Sequence, residues 1–128
     1  MDSIIFGPDL ALGIPVLDQS HRIVFDLLQS MQGLPRPAFD DACRRLATEL
    51  AGDLTEENRL MRDINYAPAV VHQAAHNSLL AEIDRAQCLL AIGDETGSRE
   101  IIRSLPDWVE AHINTMDLAL AIAVTLTK

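Results

Sequence analysis

Four segments of helical length, separated by turn-rich stretches, most constrain what this 128-residue chain can fold into. The stretches 33–37, 65–68 and 93–98 are rich in Gly, Pro, Asn and Asp, the residues that interrupt regular structure. The segments between them lack the alternation of β-branched and polar residues that strands require. The sequence therefore predicts an all-α fold.

Apolar residues recur in these segments at spacings of three and four, as on one face of a helix. The first helix is expected to start near Asp18, a good N-cap residue, and to end at about Gln32. We expect the other three helices over residues 38–63, 69–92 and 99–125. Short turns make consecutive helices antiparallel, which predicts an up-down-up-down four-helix bundle.

The length suits a single domain over residues 1–128, in which residues 1–16 form an apolar N-terminal arm. Ten Lys and Arg against nineteen Asp and Glu give a net charge of -9, which disfavours nucleic acids and anionic membranes as partners. No apolar stretch approaches the ~20 residues of a spanning helix, and no basic leader precedes an apolar run. Cys43 and Cys88 are far apart, as expected for reduced, partly buried thiols in a cytoplasmic protein.

The chain has four histidines, and each lies on or next to an apolar helix face. A lone inward histidine is more often a satisfied core residue than a metal ligand. His72 and His76, however, are four residues apart, so both rings project from the same face of the third helix. That spacing is a common way to offer two nitrogens to one metal, although alone it is weak evidence.

Carboxylates repeat this pattern. Asp53 and Glu57 are four residues apart on the second helix. They either face a metal site or form part of a solvated acidic face. His112 and Asp117 are five apart, which turns them roughly 140° from each other in an ideal helix. They can serve one site only if they straddle it or if a π-bulge lies between them; otherwise the histidine is buried and the aspartate lies on the surface.

Taken together, these donors come from all four helices. Buried without partners, each would cost several kcal/mol, so a dinuclear metal site explains them better than separate burial does. Mixed imidazole and carboxylate donors suit two iron ions best, with manganese or zinc less favoured. The predicted metal ligands are His21, Asp53, Glu57, His72, His76, His112 and Asp117.

At this point the chain resembles a hemerythrin-like protein of the bacterial type. Four segments carry the resemblance along most of its length. The pattern Ile-Asp-x-Gln-His is matched with Ser20 in place of Gln, and Glu-Glu-x-Leu-Met is similar to the segment that starts at Glu57. Asn65 stands where the family often has Gly, and Asn is the best non-Gly residue for a left-handed position. The matching segments are Leu17-Asp18-Gln19-Ser20-His21, Glu57-Asn58-Arg59-Leu60-Met61, His72-x-x-x-His76 and Trp108-x-x-x-His112-Ile113-x-x-x-Asp117.

The resemblance implies a role for each ligand. The coordinatively saturated iron would be held by His72, His76 and His112. Glu57 and Asp117 would bridge the two irons. His21 would bind the second iron, which in this family keeps an open position for dioxygen.

One position departs from the family pattern, which expects a second histidine on the open iron, followed by Phe. This chain has Asp53-Leu54 there. If Asp53 ligates, the extra anion favours the ferric state, and the site should tend to autoxidation or peroxide reduction. If it does not reach, water or another ligand fills the position and the second metal binds weakly.

The expected function is therefore a di-iron protein that binds or reacts with dioxygen or peroxide. Oxygen binding or sensing is the family default. The alternatives are an oxidase- or peroxidase-type enzyme and, less favoured, a metal-storage bundle. The sequence leaves the oligomeric state and any organic substrate open.

Overall fold

The structure, a computed structural model, describes residues 10–127. Its helices are α1 (Pro15–Met31), α2 (Ala38–Asp63), α3 (Ala69–Ala91), α4 (Glu95–His112) and α5 (Leu118–Leu126). A π-helical turn, Ile113–Asp117, joins α4 to α5, so that Glu95–Leu126 is one continuous helix. No strand occurs within residues 10–127. The predicted all-α four-helix bundle is confirmed.

The long helices pack in the cyclic order that the short turns impose. α1 contacts α2, α2 contacts α3, α3 contacts α4, and α4 closes the ring against α1. Phe25, Phe39, Leu46 and Ile102 are among the fully buried side chains at the centre of the larger apolar cluster. Burial of such side chains stabilises each helix more than its intrinsic propensity does.

A second, smaller apolar cluster lies towards the other end of the bundle and includes Leu17, Met61 and Leu120. The sequence places a layer of polar residues between the two clusters. On α1, His21 lies between Leu17 of the smaller cluster and Val24 of the larger one. Buried charged groups in this layer are thus sealed by hydrocarbon on both sides.

Two helix starts differ from the predictions. α1 begins at Pro15, not near Asp18, because Asp18 does not cap the helix. Its carboxylate instead accepts hydrogen bonds from the backbone N–H groups of Leu12 (2.7 Å) and Gly13 (3.1 Å) and so fixes the chain that enters the helix. Part of the predicted arm, Pro15 and Val16, is therefore helical, and its first nine residues lie outside the described residues.

The fourth helix starts at Glu95, four residues before the prediction. Asp94 caps it, since its side chain accepts a hydrogen bond from the backbone N–H of Gly97 at 2.8 Å. The two glycines of the stretch 93–98 predict a turn there. The cap holds Gly97 inside the first helical turn.

Pro106 lies inside α4 without ending it. Proline has no N–H to donate to the carbonyl four residues back, here that of Ile102. The side-chain amide of Gln32, at the end of α1, donates to this carbonyl at 3.4 Å. This contact between helices thus gives the carbonyl a hydrogen-bond donor in place of the N–H that proline lacks.

By length and composition, the Glu95–Leu126 helix is apolar enough to cross a membrane, with a mean hydropathy of 1.3 over its most apolar window. One such helix is weak evidence, because bundle helices of soluble proteins pass the same test. The expectation that membranes are not partners stays a prediction. Both cysteines are free thiols, Cys43 buried as expected and Cys88 exposed.

Candidate metal centre

The structure brings all seven predicted ligands together in the polar layer of the bundle. α1 supplies one, α2 and α3 supply two each, and the last two come from the end of α4 and the π-helical turn. Every one of them is buried, with at most 9% of its surface exposed. They are His21, Asp53, Glu57, His72, His76, His112 and Asp117.

Glu57 stands between two groups of histidines. Its Oε1 lies 3.1 Å from Nε2 of His72 and 3.1 Å from Nε2 of His76. Its other oxygen, Oε2, lies 3.3 Å from Nε2 of His21. One carboxylate therefore divides its two oxygens between α3 and α1.

Asp117 also divides its two oxygens between histidines of different helices, from the opposite side of the bundle. Its Oδ1 lies 2.9 Å from Nε2 of His72 and 3.1 Å from Nε2 of His112. Its Oδ2 lies 3.2 Å from Nε2 of His21. Glu57 and Asp117 are thus both placed as bridges between a three-histidine side and a one-histidine side.

The π-helical turn Ile113–Asp117 explains how Asp117 reaches this position. Five residues of a regular α-helix would turn it roughly 140° from His112. The wider π-turn places the two side chains on one face. Of the two arrangements that the sequence left open, the π-bulge is the one observed. Single π-turns of this kind are frequent at functional sites.

The three histidines opposite His21 pack edge to face. The ring centroid of His72 lies 4.5 Å from that of His76 and 5.0 Å from that of His112. The indole of Trp108 stacks on the His112 ring, with centroids 5.0 Å apart and an angle of 11° between the planes. The sequence analysis does not predict this stack, although the four-residue spacing of Trp108 and His112 favours it.

Asp53 lies on the His21 side of the centre. Its Oδ2 is 3.8 Å from Nε2 of His21, and its Oδ1 is buried without a hydrogen-bond partner. The side chain therefore points into the layer and is not part of a solvated acidic face. Asp53, His21 and Glu57 each offer one atom to a group compact enough to hold an ion.

Electrostatics within the layer are strongly perturbed. Burial opposes protonation of His21, but hydrogen bonds to Asp117 and Glu57 outweigh it and raise the pKa of His21 to about 10. The same balance raises the pKa of His72 to about 9. Burial and the charge of Glu57 raise the pKa of Asp53 to about 8. The histidine contacts hold the pKa of Asp117 far below its usual range in spite of burial.

The donor set fits a pair of metal ions. Nε2 of His76 and Nε2 of His112 each lie 3.1 Å from a carboxylate oxygen, yet neither has a hydrogen-bond partner. Buried nitrogens that approach oxygens without bonding to them suit groups arranged around a common ion. The three-histidine side, with Glu57 and Asp117, forms a second group compact enough to hold a metal.

Comparison with known proteins agrees with this geometry. The family model described as "Hemerythrin HHE cation binding domain" matches residues 12–121. A protein named bacteriohemerythrin from Ralstonia nicotianae is 26% identical over 117 residues, which cover 91% of this chain and 85% of the relative. The bacteriohemerythrin of Stenotrophomonas maltophilia is 23% identical, over 94% of this chain and 81% of the relative. No solved structure matches at the significance that these relatives reach. The chain belongs to the hemerythrin family.

Proposed function

We propose that this chain holds a di-iron centre that reacts with dioxygen or peroxide, and that Asp53 shifts this reaction from reversible binding towards oxidation. The observation that carries the proposal is the division of the oxygens of Glu57 and Asp117 between His21 and the three histidines opposite. Two bridging carboxylates with histidines at both ends are typical of dinuclear centres in bundle cores.

Different residues would hold the two ends of such a centre. His72, His76 and His112 would fill one end, and His21 with Asp53 would hold the other. When bound, iron would supply the electrons and the exchangeable coordination position that reaction with dioxygen requires. The apolar clusters on both sides exclude bulk water and favour a small apolar reactant over a large polar one.

Asp53 is what separates this proposal from reversible oxygen carriage. The resemblance to bacterial hemerythrins implies a neutral imidazole at this position, where Asp53 places a carboxylate. With Glu57 and Asp117 it makes three anions around the centre, and each added anion favours ferric iron over ferrous iron. We therefore expect oxidised iron to persist after oxygen is removed.

A spectroscopic experiment tests the proposal. The protein is loaded anaerobically with ferrous iron, oxygen is admitted, and the visible spectrum is recorded before and after the gas is removed. Wild-type protein is expected to pass through a transient charge-transfer band to a stable diferric spectrum that removal of the gas does not reverse. In Asp53→His, the band should appear and disappear with oxygen.

Other outcomes are equally informative. A band that is fully reversible in the wild-type protein would identify an oxygen carrier or sensor, the second candidate function, which the printed name of the relatives favours. Bound iron without any spectral change on oxygenation would contradict the dinuclear centre itself.

A further inference from the structure

We propose that Trp108 is the residue through which electrons enter the centre, and that their source is a cationic one-electron donor that contacts the indole. The inference rests on the proposed di-iron centre, because a centre that remains diferric after reaction must be reduced before it can react again. Trp108 would act through a ligand, His112, without binding metal itself.

Trp108 connects the surface of the bundle with a predicted ligand. All seven ligands are buried, and His112 is the most exposed of them at 9%. The indole that stacks on His112 is itself 36% exposed. Its plane is inclined by only 11° to that of the imidazole, and the 5.0 Å between the ring centroids is typical of stacked aromatic pairs. An electron that reaches the indole is thus one ring-to-ring contact away from a ligand.

From His112 the path continues across the centre. Nε2 of His112 lies 3.1 Å from Oδ1 of Asp117, and Oδ2 of the same carboxylate lies 3.2 Å from Nε2 of His21. Trp108 therefore leads first to the three-histidine side and then, through a bridging carboxylate, to the His21 side. Since the open position for dioxygen is expected beside His21, electrons and dioxygen would enter from different ends.

The electron balance defines what the indole has to do. Each donor molecule loses one electron, and one iron(III) becomes iron(II). Two such steps return the centre to the diferrous state. No bond forms or breaks in the indole, and no proton leaves it. Trp108 therefore needs only an aromatic ring between donor and ligand, so phenylalanine should replace it better than an aliphatic residue.

A groove between α3 and α4 gives a donor room to contact the indole. Its volume of about 440 Å³ suits a small planar molecule. Apolar and hydroxyl side chains form most of its walls, which are Ser78, Leu79, Glu82, Ser104, Leu105 and Trp108. A flat donor can therefore lie against Trp108 without displacing any ligand of the centre.

Charge selects the kind of donor. The chain carries a net charge of -9, which attracts cations and repels anions. Among the described residues, Glu82 is the only charged one that lines the groove. Its ion pair with Arg85, at 3.2 Å, is exposed, and such pairs are weak enough for another cation to compete. We therefore expect a cationic donor to react faster than an anionic one.

The first experiment measures electron entry. Diferric protein is mixed anaerobically with the methyl viologen radical cation, and the loss of the radical's colour gives the rate. Trp108→Leu should lower this rate by roughly tenfold or more, the range seen for residues that contact a metal ligand, whereas Trp108→Phe should retain most of it. Metal content, the diferric spectrum and the rate of oxidation of diferrous protein by dioxygen should not change in either variant.

Tyr66→Leu is the matched control. Burial and the charge of Asp117 raise the pKa of Tyr66, which places this second aromatic ring near the centre on another route from the surface. Its removal should leave the rate of reduction unchanged. Equal rates in wild type and Trp108→Leu, or a larger fall in Tyr66→Leu, would overturn the inference.

A second experiment tests contact with the donor and leaves the residues around His112 intact. In zinc(II)-loaded protein, the oxidised methyl viologen dication should quench the emission of Trp108. Glu82→Gln should weaken this quenching, as should added salt, and in the iron-loaded protein it should slow reduction by the radical. Asp84→Asn makes the same change of charge at an exposed position of α3 outside the groove and should alter neither.

Equal effects of Glu82→Gln and Asp84→Asn would contradict the assigned groove. Failure of the proposed function is seen separately, before any donor is added. A wild-type protein that takes up no iron, or that never becomes diferric, would contradict the di-iron centre itself.

Discussion

Nε2 of His112 lies 3.1 Å from Oδ1 of Asp117, although five residues separate the two along one continuous helix. The π-helical turn between them absorbs one extra residue. The turn therefore brings together two ligands that regular α-geometry would hold apart.

This relationship predicts different effects of two one-residue changes. Deletion of the exposed Asn114 would leave the histidine and aspartate four residues apart in a regular α-helix, about 40° from each other around its axis. The deletion variant is expected to keep about two metal ions per chain. Insertion of an alanine after Asn114 would turn the aspartate away by roughly 100° and reduce the content to about one. Metal analysis after desalting measures both, and equal contents in the two variants would contradict the role given to the turn.

The raised pKa values predict that metal binding releases protons. At pH 7.5, metal-free protein holds protons on His21 (pKa about 10), on His72 (about 9) and on most of Asp53 (about 8). Because ligation requires the deprotonated forms, loading two metals should release about two to three protons, and the apparent affinity should rise with pH up to about 10. Calorimetry in buffers of different ionisation enthalpy counts these protons. An affinity that does not vary between pH 6.5 and 9 would refute the assignment.

Asp53 also predicts a conflict between metal binding and stability. Its pKa is raised from 3.8 to about 8, so the folded protein keeps a proton that the unfolded chain gives up. The contribution of Asp53 to stability is fully present below about pH 4 and falls as the pH rises towards 8, because the unfolded state binds fewer protons there. In metal-free protein at pH 7.5, Asp53→Asn should raise the free energy of unfolding by about 1–3 kcal/mol. Urea denaturation at pH 4.5 and pH 7.5 tests this, since the gain should shrink at the lower pH.

Trp108 predicts an optical signal for the order of filling. It is the only tryptophan of the chain, and its ring stacks on His112. Iron(II) has an open electron shell, so its binding at the three-histidine side should quench most of the tryptophan emission. The greater number of donors there means that the loss should be complete after the first equivalent of iron(II). Zinc(II), with a closed shell, is the control and should leave most of the emission. Quenching that follows only the second equivalent would reverse the predicted order.

Much of the fold and the candidate site was readable in the sequence, for reasons that particular residues illustrate. α2 runs from Ala38 to Asp63 as predicted, because an unbroken stripe of apolar residues lies between two clear turns. Asn65 has a positive φ of 52°, as the substitution of Asn for Gly suggested. The four histidines could be assigned to one place because each lies on the inner face of a bundle helix.

The features that sequence reasoning missed depend on contacts between distant groups. Asp18 resembles an N-cap, but backbone N–H groups five and six residues before it compete for its carboxylate. Asp94 holds glycine-containing sequence in a helix that propensity alone would not start there. The choice of a π-turn over a straddled site depended on where α1 and α3 place their ligands, which local spacing does not specify.

Glu57 and Asp117 each contact histidines of more than one helix, and this arrangement affects the rate at which a bound ion is lost. Any bound ion would be held by ligands from at least three helices, and all of these ligands are buried. An ion can then leave only when a helix moves aside far enough to release several ligands together. The rate of metal loss to a strong chelator should therefore follow the local opening of the bundle, as amide hydrogen exchange in the same helices would report it. The lifetime of the bound metal would then report how often the bundle opens.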